Sequence, residues 1–267
     1  MKQRIFSFLL LWVLVLGVPS LLGQTGVILL VVIFALLTQF EIYKLLQAIG
    51  PRPHVGLGLA MGVLVSLGTF SGGAFGLMEA YGVAIVVLII AFLPQLPAQR
   101  TFSNIGATIF GLTFAPFLLG FLSEVVLLAG VPTAIWLVGV TKFADVGGLL
   151  AGMAFGKHKL APKLSPKKTW EGVIGGVASS ILVGVLAVVL APEYFPSELT
   201  PLMAGLFAVP LAISGICSDL FESAMKREAK TKDAGKIFPG IGGAFDLTDS
   251  ILLASPVGFA LLRLILT

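Results

Sequence analysis

The chain has 267 residues, 57% of them hydrophobic and only 11% charged, with 17 Lys and Arg against 13 Asp and Glu, and its mean hydropathy is +1.06. Those values exclude an ordinary soluble domain, and a single cysteine, Cys217, excludes an intramolecular disulfide framework. What remains is a polytopic integral membrane protein with no expected nucleic-acid partner.

The apolar runs are continuous rather than alternating, which argues against a closed β-barrel and for an all-α fold. A hydrocarbon core about 30 Å thick takes about 20 helical residues per crossing, so the length accommodates about nine transmembrane helices. They are expected near 5–22, 27–47, 55–72, 78–96, 104–121, 124–141, 172–191, 201–221 and 242–266. The first, preceded by Lys2 and Arg4 and containing Ser20, also resembles a secretory signal. Its removal would leave the parity of every later span unchanged. With the N-terminus in the cytosol, every Lys and Arg except Arg263 falls on the cytosolic face, and the opposite loop 192–200 carries only Glu193 and Glu198 as charges. That asymmetry is the positive-inside pattern. It places a multi-pass protein in the cytoplasmic, or inner, cell membrane, with its membrane lipids as immediate neighbours.

Residues 1–141 read as N-terminal transmembrane helices with short connections. In that part Glu41 and Glu79 lie near predicted span ends, where a carboxylate can reach the interface, and His54, between Pro53 and Val55, reads as a loop residue. Residues 142–267 form the C-terminal helices and carry two polar inserts expected at the cytosolic face. Cys217 reads as a small apolar residue near a span end.

The first insert, 143–172, contains Gly147, Gly148, Gly152 and Gly156, a spacing that lets helices approach closely. Gly156-Lys157 is not a phosphate loop, because Ala151 and His158 stand where the pattern needs a glycine and a hydroxyl residue. Ser165-Pro166-Lys167-Lys168-Thr169 sets hydroxyl and ammonium donors on one short segment, which suits phosphate oxygens. On charge alone, binding of the lysines to an anionic lipid surface is an equal reading.

The second insert, 217–250, is denser. Asp219 and Glu222 stand three apart at the end of one predicted helix, and Asp246 and Asp249 three apart at the start of the next, so each pair shares a helical face. Carboxylates converging from two helix ends suit Mg²⁺, a hard cation that takes oxygen ligands and often shares them with substrate phosphates. Asp145, near the start of the first insert, is a further acidic candidate.

The run Asp219-Leu220-x-Glu222-Ser223-x-Met225-Lys226-Arg227, then Lys232-Asp233-x-Gly235, Phe238-Pro239, Gly242-Gly243, Asp246 and Asp249 resembles the signature of the phosphatidate cytidylyltransferases, or CDP-diacylglycerol synthases. Ser165-Pro166-Lys167-Lys168-Thr169-x-Glu171-Gly172 is similar to a second motif of that family. The motifs cover about the last 125 residues; the first half resembles the family only as a set of apolar helices. Departures are Ile241 where the family usually has His, Leu247 where it has Arg, and Ser218 where Gly is common. The first two remove phosphate contacts that the family pattern offers.

The resemblance implies a metal-dependent nucleotidyltransferase of phospholipid biosynthesis, in which CTP and phosphatidate give CDP-diacylglycerol and pyrophosphate. It implies catalytic roles for Asp219, Asp246, Asp249, Lys226 and Arg227. Asp219, Asp246 and Asp249 would ligate Mg²⁺, with Asp145 and Glu222 as auxiliaries and room for a second cation. Ser165, Lys167, Lys168, Thr169, Ser223, Lys232, Gly242 and Gly243 would contact the substrates. The active site would face the cytosol, and glycine-bearing helix faces suit a homodimer. Two other readings stay open: a CTP-dependent lipid kinase or a cytidylyltransferase for another lipid phosphate, such as an archaeal-type ether lipid, and a cation transporter. Carboxylates at a span mouth rather than near the midplane argue against the transporter.

Overall fold

Segments embedded in lipid must satisfy every backbone N–H and C=O internally, which a helix does unaided. In the computed structural model the chain forms α1 (Lys2–Ile49), α2 (Val55–Phe92), α3 (Thr101–Leu112), α4 (Leu118–Phe155), α5 (Trp170–Leu190), α6 (Pro201–Glu228) and α7 (Ala244–Leu266). The structure describes residues 2–96, 98–240 and 242–267, with 2–16 described by backbone only. The side chains of Lys2 and Arg4, and Ile241 altogether, lie outside the described residues.

Among the described residues, six helical stretches are long and apolar enough to cross a membrane, against the nine or so expected. Three of the long stretches are interrupted by non-helical glycines: Gly23 in α1, Gly72 and Gly73 in α2, and Gly130 in α4. At Gly23 and Gly73 φ is 56° and 59°, in the left-handed region that only glycine adopts freely. The chain turns back on itself at both places. A Cβ on Gly26 would come within 2.8 Å of the Val18 carbonyl, and one on Gly68 within 2.8 Å of Ala80 Cβ. An unbroken helix would hold the first of these pairs about 12 Å apart. These two breaks fall where the sequence reading ends one span and begins the next.

The third break falls later than expected. The expected spans meet at 122–123, yet Ser123 and Glu124 are 1% and 3% exposed inside the helix, and the interruption comes at Gly130, followed by Pro132. The helix breaks instead at residues that cannot readily continue it. Pro116 is accommodated without an end, in a π-helical turn at Thr113–Phe117 that absorbs its missing N–H.

Both inserts are more helical than expected. α4 runs on to Phe155, so Asp145 and the glycines at 147–152 are helical, and α6 runs to Glu228. Among the described residues the strands are those of a small antiparallel hairpin, β1 (Lys159–Ala161) with β2 (Ser165–Thr169), pairing Lys159 with Thr169 and Ala161 with Ser165.

The chain divides into two compact units, one of Met1–Glu124 with Met225–Thr248 and one of Val125–Ala224 with Asp249–Thr267. In the first, Tyr43 is fully buried against Gly58 and Gly111. Its hydroxyl accepts from Gln39 Nε2 at 2.9 Å and donates to the Thr108 carbonyl at 2.8 Å, so a phenol deep among helices keeps its polar end satisfied. In the second, α4 and α5 meet through small residues. Trp136 Nε1 donates to the Gly184 carbonyl at 3.0 Å and Ser180 Oγ to the Val140 carbonyl at 2.8 Å, the polar bonding typical of helix pairs in lipid. Phe155, Ile174 and Leu190 are exposed, a surface for hydrocarbon rather than water.

Candidate functional site

Three acidic residues of the second unit gather on α6 and α7. Asp219 and Glu222 are one turn apart on α6, and each, with Asp249 of α7, offers a carboxylate oxygen within 4.8 Å of the others. Ser218 Oγ donates to the Asp249 carbonyl and ties the two helices together at this level. Grouping three carboxylates away from water is costly without positive charge. Two lysines supply it: Lys168 Nζ lies 2.6 Å from Asp219 Oδ2 and Lys142 Nζ 2.9 Å from Asp249 Oδ1. Ser223 Oγ is 3.4 Å from Asp219 Oδ1. The donor set is oxygen only, without Cys or His, which fits a hard divalent cation such as Mg²⁺ better than a softer transition metal.

Lys168 is delivered by the β-hairpin, whose placement follows from its junction with α5. Thr169 caps that helix, its Oγ1 accepting from the Gly172 N–H at 3.1 Å, as an N-cap threonine does. The Glu171 carboxylate accepts from the Lys157 and His158 amides at 3.1 and 3.2 Å and lies 2.6 Å from His158 Nδ1, closing the hairpin onto the helix. Glycines let α4 pass close to this junction: a Cβ on Gly172 would sit 2.8 Å from the Gly148 carbonyl, and one on Gly152 3.2 Å from Thr169 Oγ1. Between them is a cavity of about 560 Å³, whose lining includes Asp145, Lys159, Lys167, Lys168 and Asp219 together with Leu149, Met153 and Val173. Its lining therefore mixes charged and apolar side chains.

The first unit holds a second polar cluster, around the start of α7. Asp246 Oδ1 accepts from Lys226 Nζ at 2.8 Å, and its Oδ2 accepts from the Ala234 and Gly243 amides at 3.0 and 2.7 Å. A bridge between Phe238 and Gly242 narrows the intervening turn. Here Gly242, at φ 135°, occupies backbone space that a side chain would contest with Asp246, whose Oδ2 would be 2.7 Å from an added Cβ.

The predicted residues therefore fall into two groups. Asp219, Glu222 and Asp249 come together with Lys168; Asp145 and Lys167 line the cavity; and Ser165 is half-buried on β2. Thr169 is 4% exposed and serves as a helix cap, so its hydroxyl is committed to the backbone. Asp246, expected among the metal ligands, is held by Lys226 and two amides, and Gly242 and Gly243 flank it. Arg227 and Lys232 are exposed, and Leu247, at the family's Arg position, is half-buried. Cys217 is exposed on α6 rather than packed inside. Sequence reasoning missed Lys142 as a partner of Asp249. The available signal was its place one helical turn before Asp145.

The model of the cytidylyltransferase family matches residues 2–265 of the chain. The chain belongs to the cytidylyltransferase family. It is 36% identical over 150 residues to the phosphatidate cytidylyltransferase of Chlamydia muridarum, covering 56% of this chain and 49% of that one. It is 42% identical over 119 residues to that of Pseudomonas aeruginosa, covering 45% and 43%. With the phosphatidate cytidylyltransferase of Thermotoga maritima the identity is 28% over 179 residues, covering 67% and 66%. The chain spans about half the length of the first two of these cytidylyltransferase relatives.

Proposed function

We propose that this cytidylyltransferase-family protein joins CTP to phosphatidate. A lipid phosphate oxygen attacks the α-phosphorus of CTP, the bond from that phosphorus to the bridging oxygen breaks, and CDP-diacylglycerol and pyrophosphate form. The observation that carries the reading is the grouping of Asp219, Glu222 and Asp249 with Lys168 beside a cavity of mixed charged and apolar lining. Charged lining residues suit a triphosphate and a lipid head group, and apolar ones suit what is attached to the latter. The nucleophile already carries negative charge near neutral pH, so no general base is needed, consistent with Ile241 in place of the usual His. The difficulty is bringing two anions together, and cationic side chains address it.

Asp219, Glu222 and Asp249 would hold Mg²⁺, which when bound neutralises charge on the leaving pyrophosphate. Lys167 and Lys168 would hold phosphates, with Ser165 and Ser223 as hydroxyl donors. Asp246 would hold Lys226, and with Arg227, Lys232, Gly242 and Gly243 would form the other phosphate-facing group. The same proposal puts the N-terminus in the cytosol and counts nine crossings. It is supported by the glycine breaks at 23, 72–73 and 130 and by the one-sided distribution of Lys and Arg. The nucleotide would then arrive from the cytosolic side of the cytoplasmic membrane.

The test is to reconstitute the purified full-length protein in liposomes containing phosphatidate and supply each nucleoside triphosphate, with and without Mg²⁺. Label from α-labelled CTP should enter the lipid only when Mg²⁺ is present. Label entering only from the γ-phosphate would make the protein a lipid kinase, and cation flux without CTP a transporter; either result overturns the proposal.

A further inference from the structure

α7 starts after Gly243, a residue with no side chain to accept the early amide protons that a helix leaves unpaired. Two carboxylates take that part. Asp246 reaches back to the Gly243 N–H at 2.7 Å, the returning half of a capping box. The other acceptor comes from 204 residues away, where Glu41 Oε2 accepts from the Phe245 N–H at 2.8 Å. Glu41 lies on α1 and is 1% exposed, and its Oε1 has no hydrogen-bond partner among the described residues. A Cβ added at Gly235 would collide with Oε1, and one at Gly243 with Oε2. Both of these glycines lie outside the left-handed region, so what a side chain there would contest is the place of the Glu41 carboxylate and not a left-handed backbone. Nearby, the Thr38 and Thr248 hydroxyls are 2.9 Å apart and the Phe34 and Phe238 rings stack at 5.9 Å, so one face of α1 follows the segment 235–248 along its length. A carboxylate buried in an apolar helix is expensive and is retained where it does something specific.

We propose that Glu41 is a positioning residue: from α1 it caps α7 and clamps the Gly235–Gly243 segment, and so fixes Asp246 and, through it, Lys226. The catalytic consequence rests on the proposed cytidylyltransfer; the clamp itself does not. Hydrogen exchange on the full-length protein in nanodiscs, read by mass spectrometry, tests the clamp directly. Glu41→Ala should raise exchange in 232–248 at least tenfold while α5 and the first turns of α6 stay at the wild-type rate. Glu41→Gln keeps a carbonyl acceptor for Phe245 and should remain within threefold of wild type. Turnover should follow the same order, with kcat/KM for CTP at least tenfold lower in Glu41→Ala and recovered in Glu41→Gln. Gly243→Ala should be disruptive in the wild type and clearly less so beside Glu41→Ala, where the collision is gone. Unchanged exchange in Glu41→Ala, a rise spread evenly over all helices, or strictly additive effects of the two substitutions would each overturn the proposal. Should the wild type make no CDP-lipid, the functional reading fails by itself and the exchange data still decide the role of Glu41.

Discussion

Asp246→Asn isolates what a single charge contributes at the start of α7. The carboxylate serves three donors with two oxygens, and the Lys226 and Asp246 side chains are only 16% and 14% exposed. Asparagine has one acceptor oxygen. Turned toward Ala234 and Gly243, it keeps both amides and points an NH₂ at the Lys226 ammonium; turned the other way, it keeps Lys226 and points NH₂ at two N–H groups. Neither rotamer serves all three. Breaking a fully buried ion pair on one side costs about 3–5 kcal/mol, and a hydrogen bond to a charged group contributes about 1.5–3 kcal/mol. With some solvent access at both partners, a loss of about 2–3 kcal/mol is expected. That is about a 30- to 150-fold shift in local opening. Hydrogen exchange of 229–243 in the nanodisc-embedded protein measures it, with CTP turnover followed in parallel. Turnover should fall at least as far as exchange rises. Exchange within threefold of wild type would refute the reasoning, because the three contacts would then contribute nothing to the order of this segment.

Asp249→Asn should raise the Mg²⁺ concentration for half-maximal turnover at least tenfold, and an unmoved midpoint would remove Asp249 from the ligand set. Gly172→Val places methyl groups against the Gly148 carbonyl and should cost about 1–3 kcal/mol as an overpacked helix crossing. This would appear as a lower thermal midpoint in detergent, whereas Gly82→Ala, where an added Cβ meets nothing within 4 Å, should not lower it. Glu124 is 3% exposed, with Oε1 lacking a hydrogen-bond partner among the described residues. Glu124→Gln removes a carboxylate that makes no ion pair among the described residues and should leave turnover within twofold and the thermal midpoint equal or higher; a clear loss of either would mean that the carboxylate has a partner.

Much of this protein is written in its local patterns. Continuous apolar runs specify helices in lipid, because no other open structure satisfies the backbone there. Asp219 and Glu222 share a face because residues three apart in a helix must, and Gly148, Gly152 and Gly172 permit a close crossing because they lack side chains. The exception is where a long helix breaks: the expected junction at 122–123 is buried mid-helix at Ser123, and the break waits for Gly130.

Partner choice is another matter, since periodicity says which way a side chain faces and nothing about what it will meet. Asp246 and Asp249 lie one turn apart on α7 and look equivalent in the sequence. The tertiary structure gives the first to Lys226 and two backbone amides, and groups the second with Asp219, Glu222 and Lys142. Lys142 reaches its carboxylate across 107 residues and Glu41 its amide across 204. Such pairings depend on how whole helices pack, and packing is settled by the summed fit of many side chains rather than by the few residues that end up in contact.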